Sequence, residues 1–342
     1  MAFLNLRKNP LHIQSFAWML IMLIFIGCSD NKIPDVSHVI LPNMDIERLD
    51  LKLRESAHGN ETNFVENLSD HGYFMPYYVY ELIGLKAHPD SLENFLQLFM
   101  KEKDIQELAD SVALVFKDPL PEIDDFNEAF RFFHYYCPNY PLPKPVFFLF
   151  GFNYVMVPLK EKLYIAPDQY LGENSLFLSH LPQYIRKRRE RIYLVPDALK
   201  AWLTLEFKPE PNENTPTLSD EIIHLGRVQW VLDHILPKSH DTIRFGYTLD
   251  ELNFCKENES SIWRHLLDKE LLYIQDENTI QKYTGESPFT PGMPSETPGR
   301  ALLFIGRAIV SAYMKQNPTQ NMLDLLTMPT SQLLYESNYR PK

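Results

Sequence analysis

PVFFLFGFNYVMVPLKEKLYIAPDQYLG, residues 145–172, is the stretch that decides the fold class. It is dense in β-branched and aromatic residues. Gly151, Pro158 and Pro167 bound its runs at 146–150, 153–157 and 162–166. Runs of that length and composition between breakers read as short strands. Just upstream, Pro138-Asn139-Tyr140-Pro141-Leu142-Pro143 sets three prolines in six residues, which forbids regular helix. No other part of the chain reads so clearly as strand. The expected class is therefore α+β, predominantly helical, with a small sheet around residues 146–166.

Outward from that stretch the spacing is helical. Segments 46–56 and 61–69 carry helical apolar patterns. In 91–116, Leu92, Phe95, Leu96, Phe99, Ile105, Leu108, Val112 and Val115 recur at steps of three and four. That predicts one helix, or two with a break near Lys101–Lys103, and a further helix covers 122–136. Downstream, a helix is expected from Asp197 to Phe207, followed by a proline-rich loop at 208–217. Ser219 is the expected cap of the helix that follows. Thr248 and Glu251 form a capping box, in which hydroxyl and carboxylate satisfy each other's free amides. It opens a helix of roughly twenty residues through Leu267. Residues 284–298 read as a loop. GRALLFIGRAIVSAYMKQ (299–316) is apolar almost all round, as in a buried helix. Its Gly306, Ala308 and Ala312 leave room for a neighbouring helix. One or two short helices fill 317–336. With no fixed-period repeat and no interior linker, 44–342 reads as a single globular domain.

The N-terminus poses a question of location. The apolar run Phe16–Ile26 has eleven residues, whereas a membrane-spanning helix needs about twenty. Arg7 and Lys8 precede it, in the layout of a signal peptide. It ends in Phe25-Ile26-Gly27-Cys28, which resembles a bacterial lipobox, with Phe25 where an aliphatic residue is usual. Residues 1–27 are then a lipoprotein signal peptide cut after Gly27. Cys28 becomes the new N-terminus, carrying a diacylglyceryl group on sulfur and an N-acyl chain such as palmitate, and more than one chain is what stable anchoring requires. Residues 28–43, polar with two prolines, form a tether. No other cofactor is expected.

The chain has 33 basic and 45 acidic residues, a formal net charge of −12. Arg7 and Lys8 leave with the signal peptide, which takes the charge to −14 and argues against a nucleic-acid partner. A hydrophobic content of 45% supports a packed core and excludes global disorder. After acylation of Cys28, Cys137 and Cys255 remain, either paired in an oxidising compartment or free and buried.

Catalytic patterns are scarce. There is no G-x-S-x-G, P-loop, G-x-G-x-x-G or H-E-x-x-H. The nearest approach to a metal or acid–base group is Asp220, Glu221 and His224, which share a helix face, although acidic residues at a helix start are expected from the dipole alone. Asp233-His234 and His240-Asp241 are adjacent pairs pointing to different faces. The basic run 186–191 is expected to face solvent, with lipid phosphate or an acidic partner as its functional alternative. Trp202, Trp230 and Trp263 fall on apolar helix faces and read as core. No catalytic and no metal residue is assigned.

The second half carries an ordered series: LYIAPDQYLG (163–172), LPQYIR (181–186), LVPDALKAW (194–202), GYTLDELNFCKENESSIWRHLLDKELLY (246–273), SPFTPGMPSETPGRALLFIGRAIVSAYM (287–314) and the closing SNYRPK. With the lipobox, and more weakly MDIERLDLKL near residue 44, it resembles the gliding motility-associated lipoprotein GldB family. The resemblance implies a membrane-anchored, periplasm-facing envelope protein that works with gliding or secretion machinery. A weaker resemblance is to zincin-type metallopeptidases, whose H-E-x-x-H helix would fall on Asp197-Ala198-Leu199-Lys200-Ala201. Of these only Asp197 could ligate zinc, and Leu225 stands where a third ligand is expected. The resulting expectation is a lipid-anchored, non-enzymatic structural or assembly protein. The alternatives are a lipid-anchored metallohydrolase using Asp220, Glu221 and His224, or a periplasmic binding lipoprotein for peptide or glycan.

Overall fold

The computed structural model describes residues 33–58, 69–84, 86, 88, 91–151, 154–208 and 215–342. The expected signal peptide, Gly27, Cys28 and all but the last residue of the helix expected at 61–69 lie outside them. The compact unit runs from Val36 to Lys342, and Val36 and Leu41 already pack against its core.

Among the described residues there is one sheet of four strands, in the order β1-β2-β4-β3: β1 Glu47–Arg48, β2 Lys144–Phe147, β3 Met156–Leu159 and β4 Lys162–Ile165. β2 runs parallel to β1 and β4, with Val146 between Glu47 and Tyr164, while β3 and β4 form an antiparallel hairpin. The strands differ from expectation in two ways. β3 runs through Pro158, because β3 is an edge strand and a missing N–H costs nothing on its open side. β2 stops at Phe147, although Phe148 N still donates to the Ile165 carbonyl at 3.0 Å, and the rings of Phe148 and Phe150 pack edge-on against Phe74 and Tyr78.

The helices follow the sequence pattern closely. They are α1 (Leu49–His58), α2 (Leu92–Lys101), α3 (Lys103–Val115), α4 (Pro121–Tyr136), α5 (Leu194–Glu206) and α6 (Leu218–Ile235). A short helical segment, Phe74–Leu82, lies between α1 and α2. The break between α2 and α3 falls on Glu102, which is extended at ψ 134°. α6 is capped by Thr217 rather than Ser219. The Thr217 hydroxyl accepts from Asp220 N and the Asp220 carboxylate accepts from Thr217 N, completing a capping box. A cap needs extended backbone, and Ser219 is already inside the first turn.

The Thr248 capping box forms as expected, but the helix it opens is divided at Asn258 into α7 (Leu249–Glu257) and α8 (Glu259–Asp268). Further helices are α9 (Glu277–Thr284), α10 (Ala301–Gln316), α11 (Met322–Thr327) and α12 (Thr330–Ser337), with short helical turns at Gln183–Arg186 and Asp241–Phe245.

Two hydrophobic clusters result. One surrounds the sheet, α1, α4 and α5 and contains Cys137. The other surrounds α7, α8 and α10 and contains Cys255. Helix α6 feeds both, sending Val228, Val231 and Leu232 into the first and Leu218, Ile222 and Ile223 into the second. Where α6 crosses α10, Gly226 lies on Gly306: a Cβ on Gly226 would fall 2.7 Å from Gly306 Cα. The small-residue face expected of α10 is thus used at Gly306, while Ala308 and Ala312 are half-buried.

Candidate functional site

The residues proposed from sequence as an acid–base or metal group do not converge. Asp220 is committed to its capping box and also accepts from the Thr330 hydroxyl. These hydrogen bonds outweigh burial and hold its carboxyl below the usual range. His224 is buried and directs Nε2 to the carbonyl of Thr204 at 2.9 Å. Burial keeps its pKa low and that of Glu221 high.

Asp233 bridges elements, accepting from Arg244 Nε at 2.9 Å and Arg307 Nε at 2.8 Å. His234 stacks on Trp230 at 3.6 Å between centroids, and His240 caps the turn at Asp241–Phe245. Trp202 is core, edge-on to Phe130 and Phe133. Trp230 and Trp263 are half-buried. Cys137 and Cys255 are free and buried, with thiol pKa values pushed up by burial to about 11 and about 12.

Apart from the exposed Lys187, the basic run is not a solvated face. Arg191 forks onto Glu122, with Nη2 at 2.7 Å from Oε2, and lies over the Phe116 ring. Arg189 lies over Tyr170. Arg188 turns inward, its side chain only 19% exposed. The run leads straight into α5, so its side chains fall against that helix's neighbours.

Around Arg188 a charged cavity of about 260 Å³ opens. Three chain regions supply it: Gln183–Tyr193, the turn Gly246–Glu251 and the segment Glu286–Arg300. Arg188 Nη1 donates to Glu286 Oε2 at 2.5 Å, and Arg300 Nε stands 3.6 Å from the same oxygen. Arg300 caps α10 in the left-handed region, φ 62°, a conformation that costs about 1–3 kcal/mol and tends to occur at functional sites. There it lies over Tyr247 and donates from Nη2 to the Phe245 carbonyl at 3.2 Å. Gly246, φ +67°, makes the approach of Arg188 feasible, since a Cβ there would sit 2.6 Å from Arg188 Nε.

On the inner side, Lys200 donates to the Arg244 carbonyl at 2.9 Å, and Tyr170 donates to Asp197 Oδ2 at 2.9 Å. Burial lowers the Lys200 pKa to about 8, against the opposing pull of Asp197. Burial and Arg188 lower Arg300. The carboxyl of Glu286 is held below its usual range because Arg300 and Arg188 outweigh burial. With Lys187 and Glu251 of the lining included, four cations (Lys187, Arg188, Lys200, Arg300) face three carboxylates (Asp197, Glu251, Glu286), leaving one positive charge in excess. Asp197 and Lys200 are thus committed to the Tyr170 hydroxyl and the Arg244 carbonyl.

The lining hydroxyls are likewise committed. Ser287 donates to the Phe289 carbonyl at 2.6 Å and Thr248 belongs to its capping box. The arrangement can bind and orient an anion. Among the described residues no group of three or more His, Cys, Asp or Glu is placed to hold a metal ion, and no helix is long and apolar enough to cross a membrane. Sequence reading missed Lys200, Glu286 and Arg300. The available signals were a lysine inside an apolar helix and charges flanking the proline-rich segment 288–298.

The model of a family described as gliding motility protein GldB matches residues 29–341. No curated protein and no solved structure matches the chain.

Proposed function

The chain belongs to the GldB family of gliding motility proteins, and from that premise we propose that it is a lipid-anchored support or assembly element of the gliding machinery. The family places it in the cell envelope, as a membrane-associated lipoprotein. In this reading Cys28 carries the diacylglyceryl and N-acyl lipid, cleavage follows Gly27, and the unit from Val36 works at the membrane surface beside other gliding or secretion proteins. The observation that carries the proposal is the extent of the family match, which starts one residue after Cys28 and spans all but the last residue of the compact unit. The commitment of Asp197, Lys200 and Asp220 to structural partners supports a non-enzymatic role.

The test is surface spreading of a strain lacking the gene, complemented with the intact gene or with Cys28→Ala. Spreading restored only by the intact gene, with metabolic lipid labelling lost in Cys28→Ala, is the expected result. Normal spreading of the deletion strain would overturn the motility role, and labelled, mature-sized Cys28→Ala protein would overturn the anchor.

A further inference from the structure

The cavity between Arg188 and Arg300 is built as a receptor, and its occupant can be read from its charge, size and walls. Its two guanidiniums share one internal carboxylate, Glu286. Arg188 Nε is buried against Gly246 and does not face the cavity, but Arg188 Nη2 makes no hydrogen bond among the described residues, since the contact to Glu286 uses Nη1. Arg300 Nε, 3.6 Å from Glu286, is beyond hydrogen-bond range. Spare donors therefore remain on both guanidiniums, in the planar geometry that favours carboxylate recognition. Glu286 itself is 48% exposed and sits just after α9, so it enters from the mouth of the cavity and is not locked in its floor.

We propose that this cavity receives the free carboxylate at the end of a peptide chain, which takes over the guanidinium contacts now made by Glu286. Glu286 already shows that a carboxylate fits between the two guanidiniums, and a ligand carboxylate replaces it charge for charge. A phosphate monoester, with nearly two negative charges, would in addition crowd against Glu251 in the lining. Size points the same way. About 260 Å³ falls below the roughly 300–1,000 Å³ of pockets that engulf a whole drug-sized ligand, so the cavity takes a chain end while the rest stays outside. The aromatic and proline walls Tyr184, Tyr193 and Pro288 lie where the side chain next to the carboxylate would rest. The whole chain carries a net charge of −12, so an anionic ligand is not drawn in by the overall field and depends on this local excess.

The inference is independent of the motility role, which the spreading assay tests separately. The test uses the full chain in detergent and a pool of N-terminally labelled tetrapeptides with a randomised last residue, read by fluorescence anisotropy. The same pool amidated at its C-terminus, and inorganic phosphate and acetate as competitors, complete the set. Binding of the free-carboxylate pool, weakened at least about tenfold by amidation, is expected. Arg188→Gln and Arg300→Gln should each lower affinity by a similar factor, while Glu286→Gln should raise it. The comparison of free and amidated peptides needs no variant, so it stands even if an arginine substitution unfolds the protein. Equal binding of the two pools, or no binding of either, would overturn the proposal. Phosphate displacing the peptide at lower concentration than acetate would replace it with a phosphate site.

Discussion

Glu47 shows how much one carboxylate organises. It belongs to a two-residue strand, yet it contacts His71 Nε2 at 3.3 Å, Lys52 and Lys144 at 2.9 Å each, and Lys162 at 3.9 Å. With the His71 proton directed at Glu47, the other ring nitrogen accepts from the buried Tyr164 hydroxyl at 2.9 Å. The hydrogen bond from His71, opposed by burial and reinforced by Lys144 and Lys52, holds the Glu47 carboxyl far below the usual range. A depressed carboxylate contributes stability that is fully present above its unfolded value, about 4.3, and is lost as pH falls below it. Glu47→Gln should therefore cost about 2 kcal/mol at pH 7. The gap to the parent should close in urea melts as pH is lowered through 4 toward 2. A gap independent of pH would mean that packing, and not charge, accounts for the loss.

At the scale of elements, the α6–α10 crossing is the tightest constraint. Backbone meets backbone at Gly226 and Gly306, and a Cβ on Gly306 would be driven into the Ile222 carbonyl. No rotamer change relieves a clash with main chain. Gly306→Ala should therefore force the helices apart and cost about 3 kcal/mol, the upper part of the overpacking range, although alanine is the better helix former. Ala312→Ser, on the half-buried side of the same helix, should be nearly neutral. Thermal melts of the two variants check this, and equal melting temperatures would remove the crossing as the cause. The same scale explains the divided helix after Thr248. Its apolar spacing continues through Asn258, so periodicity alone reads one helix, whereas Asn258 departs from helical backbone at φ −110°, ψ 13°.

Over the whole molecule, α6 makes two cores into one cooperative body. It contributes apolar side chains to both clusters, so neither can lose it and stay intact. Cys137 and Cys255 report on one core each. Both are buried thiols whose pKa values near 11 and 12 keep them unreactive while folded. Pulse labelling across a urea series, resolved by peptide mapping, should show both becoming reactive at one midpoint, as two-state unfolding requires. Separate midpoints would mean that the cores unfold independently and that α6 does not couple them.

The sequence by itself determined whatever depends on near neighbours along the chain. The small sheet at 144–165, the break beside Lys101, the Thr248 capping box and the buried helix carrying Gly306 are all local patterns of period, breaker and cap. The ordered motifs of 163–342 likewise carried the family, because order is a property of sequence. Only the tertiary structure decided what depends on partners brought from afar. It paired Glu47–Arg48 with a strand about a hundred residues away, too short a segment to show any period. It made β3 an edge strand and so admitted Pro158. It also turned Arg188 from an apparent surface charge into the centre of the candidate site, beside Glu286 and Arg300. A charged side chain is solvated or buried according to whether an opposite charge lies across the fold, and that choice is made in space, not along the chain.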